Sequence, residues 1–257
     1  MNSHLTIEDL ILSNDQRGIS ELRDLVPADY CTRAAKLVLD NTGTVLITTG
    51  FYILSAGAPE TDGPPGAIAI GVGLEQLGYK VKYVADEYSS KLLRPYVSED
   101  SDVIDFPKTT VPKRMQISEE LKNTENPSML ISIERCAAAA DGLYRNMRDL
   151  DISDQTAKVD SLFNMHEKTI GIGDGGNEIG LGNVIDGVEK SETLVSYPAV
   201  SKVSELIIAS VSNWGGYGLL AALSIATGKN ILPTVDEDTE RISNICLLYT
   251  SPSPRDS

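Results

Sequence analysis

Apolar and polar positions along this chain repeat one order: a short apolar run, a polar or glycine-rich stretch, then a longer segment of helical spacing. Residues 44–49 (TVLITT), 80–84, 103–106, 128–133 (SMLISI), 169–172 and 205–210 are the apolar runs, and their length and flanking turn residues predict strands. Ahead of them Ile7, Leu10 and Ile11 recur at helical spacing, and a helix over about 27–39 sets Tyr30, Ala34, Leu37 and Val38 on one side. Further helices are predicted up to Leu77, over 86–96 as an exposed piece, through 117–121, over 153–163, after 212 and over 231–245, with another strand near 193–196. Strand, loop and helix in alternation predict an α/β fold: a mostly parallel sheet with helices on both faces, in three α/β/α layers. In such a sheet the strand exits share one edge, where ligands bind.

Those exits carry the chemistry. Residues 169–184, TIGIGDGGNEIGLGNV, place six glycines, Asp174, Glu178 and two asparagines after a strand, and glycines let the backbone approach a ligand closely. Asp174, Asn177 and Glu178 are expected near the first turn of a short helix, where free amides attract an anion or the carboxylates hold a hard cation. The competing reading is a plain strand-to-helix turn capped by Asp174 or Asn177. The first exit presents Glu60, Thr61 and Asp62 before Gly63-Pro64-Pro65-Gly66. It lacks both GxxxxGK[ST] and GxGxxG, which ranks a nucleotide below a small acidic or amino-acid ligand. A third exit carries Glu134 and Arg135, then Asp141, Tyr144, Asn146 and Arg148. Guanidinium suits a carboxylate and Asp or Glu an ammonium, so the cluster fits a zwitterion, although each member alone is as well explained by a local ion pair or by packing. The last exit brings Asn213 and Trp214 with Gly215 and Gly216, and the four exits are expected to converge on one pocket. Asp160 and His166 read as surface residues.

Composition narrows the classes. Among 257 residues, 22 Lys and Arg face 37 Asp and Glu, a net charge of −15 with no basic block, so nucleic acid and anionic membrane are poor partners. The apolar runs fall short of the roughly 20 residues that a membrane span needs, and the N-terminus resembles no signal or transit peptide. Cys31, Cys136 and Cys246 show no paired spacing, which points to a reducing compartment. With only His4 and His166, a multi-histidine metal site is excluded and carboxylates carry any acid–base chemistry. From Cys246 onward CLLYTSPSPRDS changes character and reads as a non-native, adapter-derived tail, so the domain is expected over 1–245, truncated at its C-terminus.

Four motifs, ETDGPPGA (60–67), SIER (132–135) with DGLYRNMR (141–148), GDGGNEIGLGNV (173–184) and SNWGGYG (212–218), resemble those of the D-glutamate cyclase C-terminal-like domain, over about 10–245. The resemblance implies a lyase that closes D-glutamate to 5-oxo-D-proline with loss of water, in a mitochondrial or cytoplasmic setting. In some members this domain follows a hydro-lyase-like domain, a partner absent from this chain. Asp149 stands where Gly is expected, and Cys136-Ala137 where Gly or Pro is frequent. Ring closure needs a deprotonated amine and stabilised charge on the departing oxygen. On residue type, Arg135 or Arg148 would bind a substrate carboxylate, and Asp62, Asp141, Asp174 or Glu178 would serve as base and acid. Glu60, Thr61, Gly63, Glu134, Tyr144, Asn146, Asn177, Asn213 and Trp214 would line the substrate. The Gly175 and Gly176 amides would meet the oxyanion, or Asp174 and Glu178 would ligate Mg²⁺ instead. A phosphate- or nucleotide-handling α/β enzyme and a non-catalytic small-molecule-binding module are the alternatives.

Overall fold

A computed structural model describes residues 5–248. Its elements in chain order are α1 (Ile7–Ile11), α2 (Tyr30–Leu39), β1 (Thr44–Thr49), β2 (Tyr52–Ile53), β3 (Ala58–Pro59), α3 (Pro64–Gln76), β4 (Lys80–Ala85) and α4 (Glu87–Leu93). There follow β5 (Val103–Asp105), α5 (Val111–Glu125), β6 (Met129–Ile133), α6 (Asp160–Phe163), β7 (Thr169–Gly173), α7 (Ile185–Val188), β8 (Glu205–Ile208), α8 (Ser212–Thr227) and α9 (Val235–Leu248). Six strands pair in parallel in the order β5-β4-β1-β6-β7-β8, while β2 and β3 form a small antiparallel ribbon. Counted within the large sheet alone, the order is that of a doubly wound fold whose direction reverses between β1 and β6. The crevice outside the carboxyl ends of those two strands is where such sheets bind ligands.

Alternation along the strands builds the layers. Val45, Ile47, Ile131 and Ile133 face α2, α3 and α8, whereas Leu46 and Leu130 face Leu121, Leu162 and Phe163 of α5 and α6. Helix α3 starts with Pro64 and Pro65, whose fixed φ suits a first turn, and α8 stops at Gly228 in left-handed conformation. Among the described residues no helix is long and apolar enough to cross a membrane.

Several local expectations change. The helix expected over 117–121 runs from Val111 to Glu125, because Pro112 falls in the first turn, where a missing N–H costs nothing. Of the helix expected over 153–163 only Asp160–Phe163 forms. Upstream, Asp151 accepts from the Ser153 amide at 2.9 Å and the Thr156 hydroxyl donates to the Ile152 carbonyl at 2.9 Å, local bonds that compete with a helical ladder. No strand forms at 193–196, where Leu194 and Val195 are buried in irregular backbone, with Thr193 beside Gly18 and Val195 beside Gly176. Asp160 is buried rather than exposed: it accepts from the Tyr144 hydroxyl at 2.6 Å and the Ala138 amide at 3.3 Å. Asp149 sits at φ 59, a left-handed position that explains why glycine suits it. Most of the expected tail, 249–257, lies outside the described residues, and α9 runs on through Cys246 to Leu248.

Candidate active site

Helices α3 and α8 cap each other across the crevice. Asp62 Oδ1 accepts from the Gly63 amide at 3.0 Å and the Asn213 amide at 2.8 Å, and its Oδ2 accepts from the Ser212 amide at 3.0 Å. In return Asn213 Oδ1 accepts from the amides of Gly63 and Gly66, at 3.0 and 2.8 Å, while its Nδ2 donates to the Thr61 carbonyl at 3.3 Å. Amides at the start of α8 are thereby satisfied by Asp62 of the loop before α3, and those of Gly63 and Gly66 by Asn213 in the first turn of α8. Gly63 has φ 99, and a Cβ there would lie 2.6 Å from Glu134 Cβ, so only glycine fits. This reciprocal clasp fixes Asp62 at the mouth of the crevice. It ties Asn213 Oδ1 to two amides and one N–H of its Nδ2 to a carbonyl.

Four carboxyl groups meet above β1 and β6. Asp62, Glu134 and Asp174 each offer an oxygen, all within 4.8 Å of one another. Half-buried Glu60 lies near enough for its charge to act on Glu134 and Asp174 and for that of Asp62 to act on it. Ser212 Oγ also donates to Glu134 Oε2 at 2.5 Å. Glu134 itself sits at φ 45, held by its own N–H to the Ile172 carbonyl and by the Gly50 N–H to its carbonyl. A non-glycine residue in that region is strained, by roughly 1 kcal/mol or more, and such strain concentrates at functional sites. Thr49 Oγ1, buried and without a partner among the described residues, borders Gly63 on the same side.

Burial and mutual repulsion set the electrostatics. Burial, followed by the charges of Asp174, Glu178, Glu60 and Asp62, raises the Glu134 pKa well above the usual range. Burial, followed by Asp62, does the same to Asp174 against the opposing charge of Arg17. Asp62 is raised by burial, while the Asn213 and Ser212 amides and Arg17 pull it back. Glu60 is pushed to about 8 by burial and then by Asp62. Between its ordinary value of 4.5 and about 8 the folded chain therefore keeps a proton that the unfolded chain has released. Stability should fall as pH rises through that window and level off above it. Melting temperatures of the protein and of Glu60→Gln across this range should show a decline of several degrees in the first and a flatter profile in the second.

One member was missed by the sequence. Arg17, from the loop after α1, contacts Asp174 Oδ1 through NH1, with its side chain 37% exposed against 1% for Asp174. Asp15 shapes this loop by accepting from the amides of Arg17 and Gly18, both at 2.9 Å, and of Ser20 at 2.8 Å. Burial alone would lower the Arg17 pKa, but the charges of Asp174, Glu134, Glu60 and Glu178 outweigh it and hold the guanidinium charged. A lone Arg between two short helical turns carries no motif; the Asp15 turn ahead of Gly18 is the only local hint.

Other expected residues are placed elsewhere. Glu178 does not start a helix: Gly173 is followed by a tight turn whose amides close on the Glu178 carboxylate, Gly175 at 2.9 Å, Gly176 at 2.8 Å and Asp174 at 3.3 Å. The amides expected to meet an oxyanion, Gly175 and Gly176, are here taken up by the Glu178 carboxylate expected as a metal ligand. Asn177 Nδ2 joins this turn to the Arg145 carbonyl at 2.8 Å. Glu178→Gln is expected to lower stability by about 2–3 kcal/mol, roughly 5–10 °C in melting temperature, as a charge-assisted set of bonds weakens. Arg135 points away from the acids into the core, donating to Asp86 at 2.5 Å and to the Gly50 and Ala157 carbonyls at 2.9 and 2.7 Å. Asp141 is exposed and paired with Arg145, Asn146 accepts from the Arg148 and Leu150 amides in a turn, and Arg148 is exposed. Tyr144 is fully buried, bonded to Asp160 and accepting from Arg114 at 3.0 Å. Trp214, half-buried, packs against the main core.

The D-glutamate cyclase-like, C-terminal family model matches residues 7–247. The chain belongs to that family. This D-glutamate cyclase-like chain is also similar to the human protein D-glutamate cyclase, mitochondrial, at 36% identity over 211 residues, covering 74% of the chain and 34% of the relative. It thus spans about a third of that relative's length. As a donor set, Asp62, Glu134 and Asp174 are all carboxyl oxygen, which suits a hard cation such as Mg²⁺.

Proposed function

We propose that the acid crevice closes D-glutamate to 5-oxo-D-proline and water. The observation that carries this reading is the meeting of Asp62, Glu134 and Asp174 at the switch point of the sheet, each offering a carboxyl oxygen within 4.8 Å of the others. In the reaction the amine nitrogen bonds to the side-chain carboxyl carbon, the C–O bond breaks, and two of the three ammonium protons leave with that oxygen as water. Proton transfers suit a crowded group of carboxyls whose pKa values are raised by burial and by one another. The substrate ammonium would offset the negative charge gathered there. Asp174 then takes a proton from the nitrogen, and Glu134, kept neutral by its surroundings, protonates the departing oxygen. Asp62, anchored by three amides, holds the two in register, and the crevice supplies much of the rate by keeping the substrate folded. Were Mg²⁺ bound, Asp62, Glu134 and Asp174 would hold it, and it would polarise the attacked carboxylate.

A nucleotide is disfavoured by the same geometry. The amides at the starts of α3 and α8 and in the turn after β7 accept no phosphate, because Asn213, Asp62 and Glu178 already occupy them. A hydro-lyase-like partner domain and a mitochondrial location belong to the same proposal, the former by family likeness and the latter by the relative's name. Incubating the protein with D- and L-glutamate, each with and without Mg²⁺, tests the reading: 5-oxoproline should form from the D-isomer. A thermal shift with nucleotides and none with glutamate would favour the other class.

A further inference from the structure

Resting on that proposed function, we infer that Arg17 binds the α-carboxylate of the substrate and so makes the site specific for an α-amino dicarboxylic acid. An α-amino acid carries its ammonium and its carboxylate on one carbon, so its complement is a carboxylate and a cation in direct contact. Arg17 and Asp174 are such a pair, at the edge of the acid cluster. Among the described residues only NH1 of the guanidinium makes a hydrogen bond, which leaves NH2 and Nε, the face that takes a carboxylate bidentately. The side chain is 37% exposed, so an incoming ligand can reach it, whereas the Asp174 carboxylate behind it is buried. The two arginines expected for the carboxylate are engaged or distant, Arg135 with Asp86 in the core and Arg148 at the surface, and nearby Arg145 pairs with Asp141. With the α-carbon held between Arg17 and Asp174, the side-chain carboxylate is directed toward Glu134 and Glu60, whose raised pKa values supply the protons it needs.

The test compares D-glutamate with its α-carboxamide, which keeps the amine and the side-chain carboxylate and so retains the atoms that cyclise. The protein should prefer D-glutamate in kcat/KM by about 100-fold, and Arg17→Gln should lower kcat/KM for D-glutamate by a similar factor, mostly through KM, narrowing the preference to within about threefold. Arg17→Lys should restore part of it. If Arg17→Gln keeps the full preference, or loses only melting temperature with KM unchanged, Arg17 is a structural ion-pair partner and the assignment is overturned while the cyclase reading stands. If the unaltered protein turns over neither compound, the cyclase reading fails. Calorimetric binding of D-glutamate and its α-carboxamide then still decides Arg17: a preference lost in Arg17→Gln supports it, and no binding or an undiminished preference overturns it.

Discussion

Glu134→Gln is expected to lower D-glutamate cyclisation by about a thousandfold while the protein stays folded, within the range that positioned acid–base groups contribute. The amide has the shape of the acid and can still accept from Ser212 Oγ, but it has no proton to pass to the departing oxygen. It also removes one of four crowded carboxyls, so the melting temperature should hold or rise as repulsion with Asp174 and Glu60 is relieved. Steady-state kinetics beside a thermal melt make the comparison. A fall of less than about tenfold would take Glu134 out of the proton path, and a collapse in melting temperature would make it a structural residue.

The second large effect lies outside the crevice. Arg135→Ala is expected to cost about 3–5 kcal/mol, because it leaves the Asp86 carboxylate and the Gly50 and Ala157 carbonyls without their buried donor. Those contacts tie the exit of β1 to the start of α4 and to the segment before α6, so the loss should appear as reduced soluble yield and denaturant midpoint. KM of the surviving fraction should stay near that of the unaltered protein. A variant of normal stability with a raised KM would return Arg135 to the substrate.

How far the sequence discloses such a site depends on the range of the forces involved. The strands and their exits are legible because buried apolar runs such as 44–49 and 128–133 are local, and a parallel sheet brings their ends together by topology alone. Asp62, Glu134 and Asp174 were therefore legible as neighbours. Roles were not. Glu134 and Arg135 are adjacent in sequence, yet one faces the crevice and the other the core, a division set by the left-handed backbone at Glu134 that no spacing announces. Glu178 folds back onto amides two to four residues earlier, a reach akin to a capping box that its spacing from Asp174 hinted at. Arg17 meets Asp174 only through the tertiary fold, from a loop whose own sequence carries no motif.

Isotope labelling puts the acid crevice to its most direct test. D-glutamate carrying ¹⁸O in both side-chain carboxyl oxygens, incubated with the purified chain, should yield 5-oxo-D-proline that retains one label and has lost the other as water, and Glu134→Gln should form almost none. Absence of product, or product formed equally fast by both proteins, would contradict the assignment of this crevice as the cyclising site.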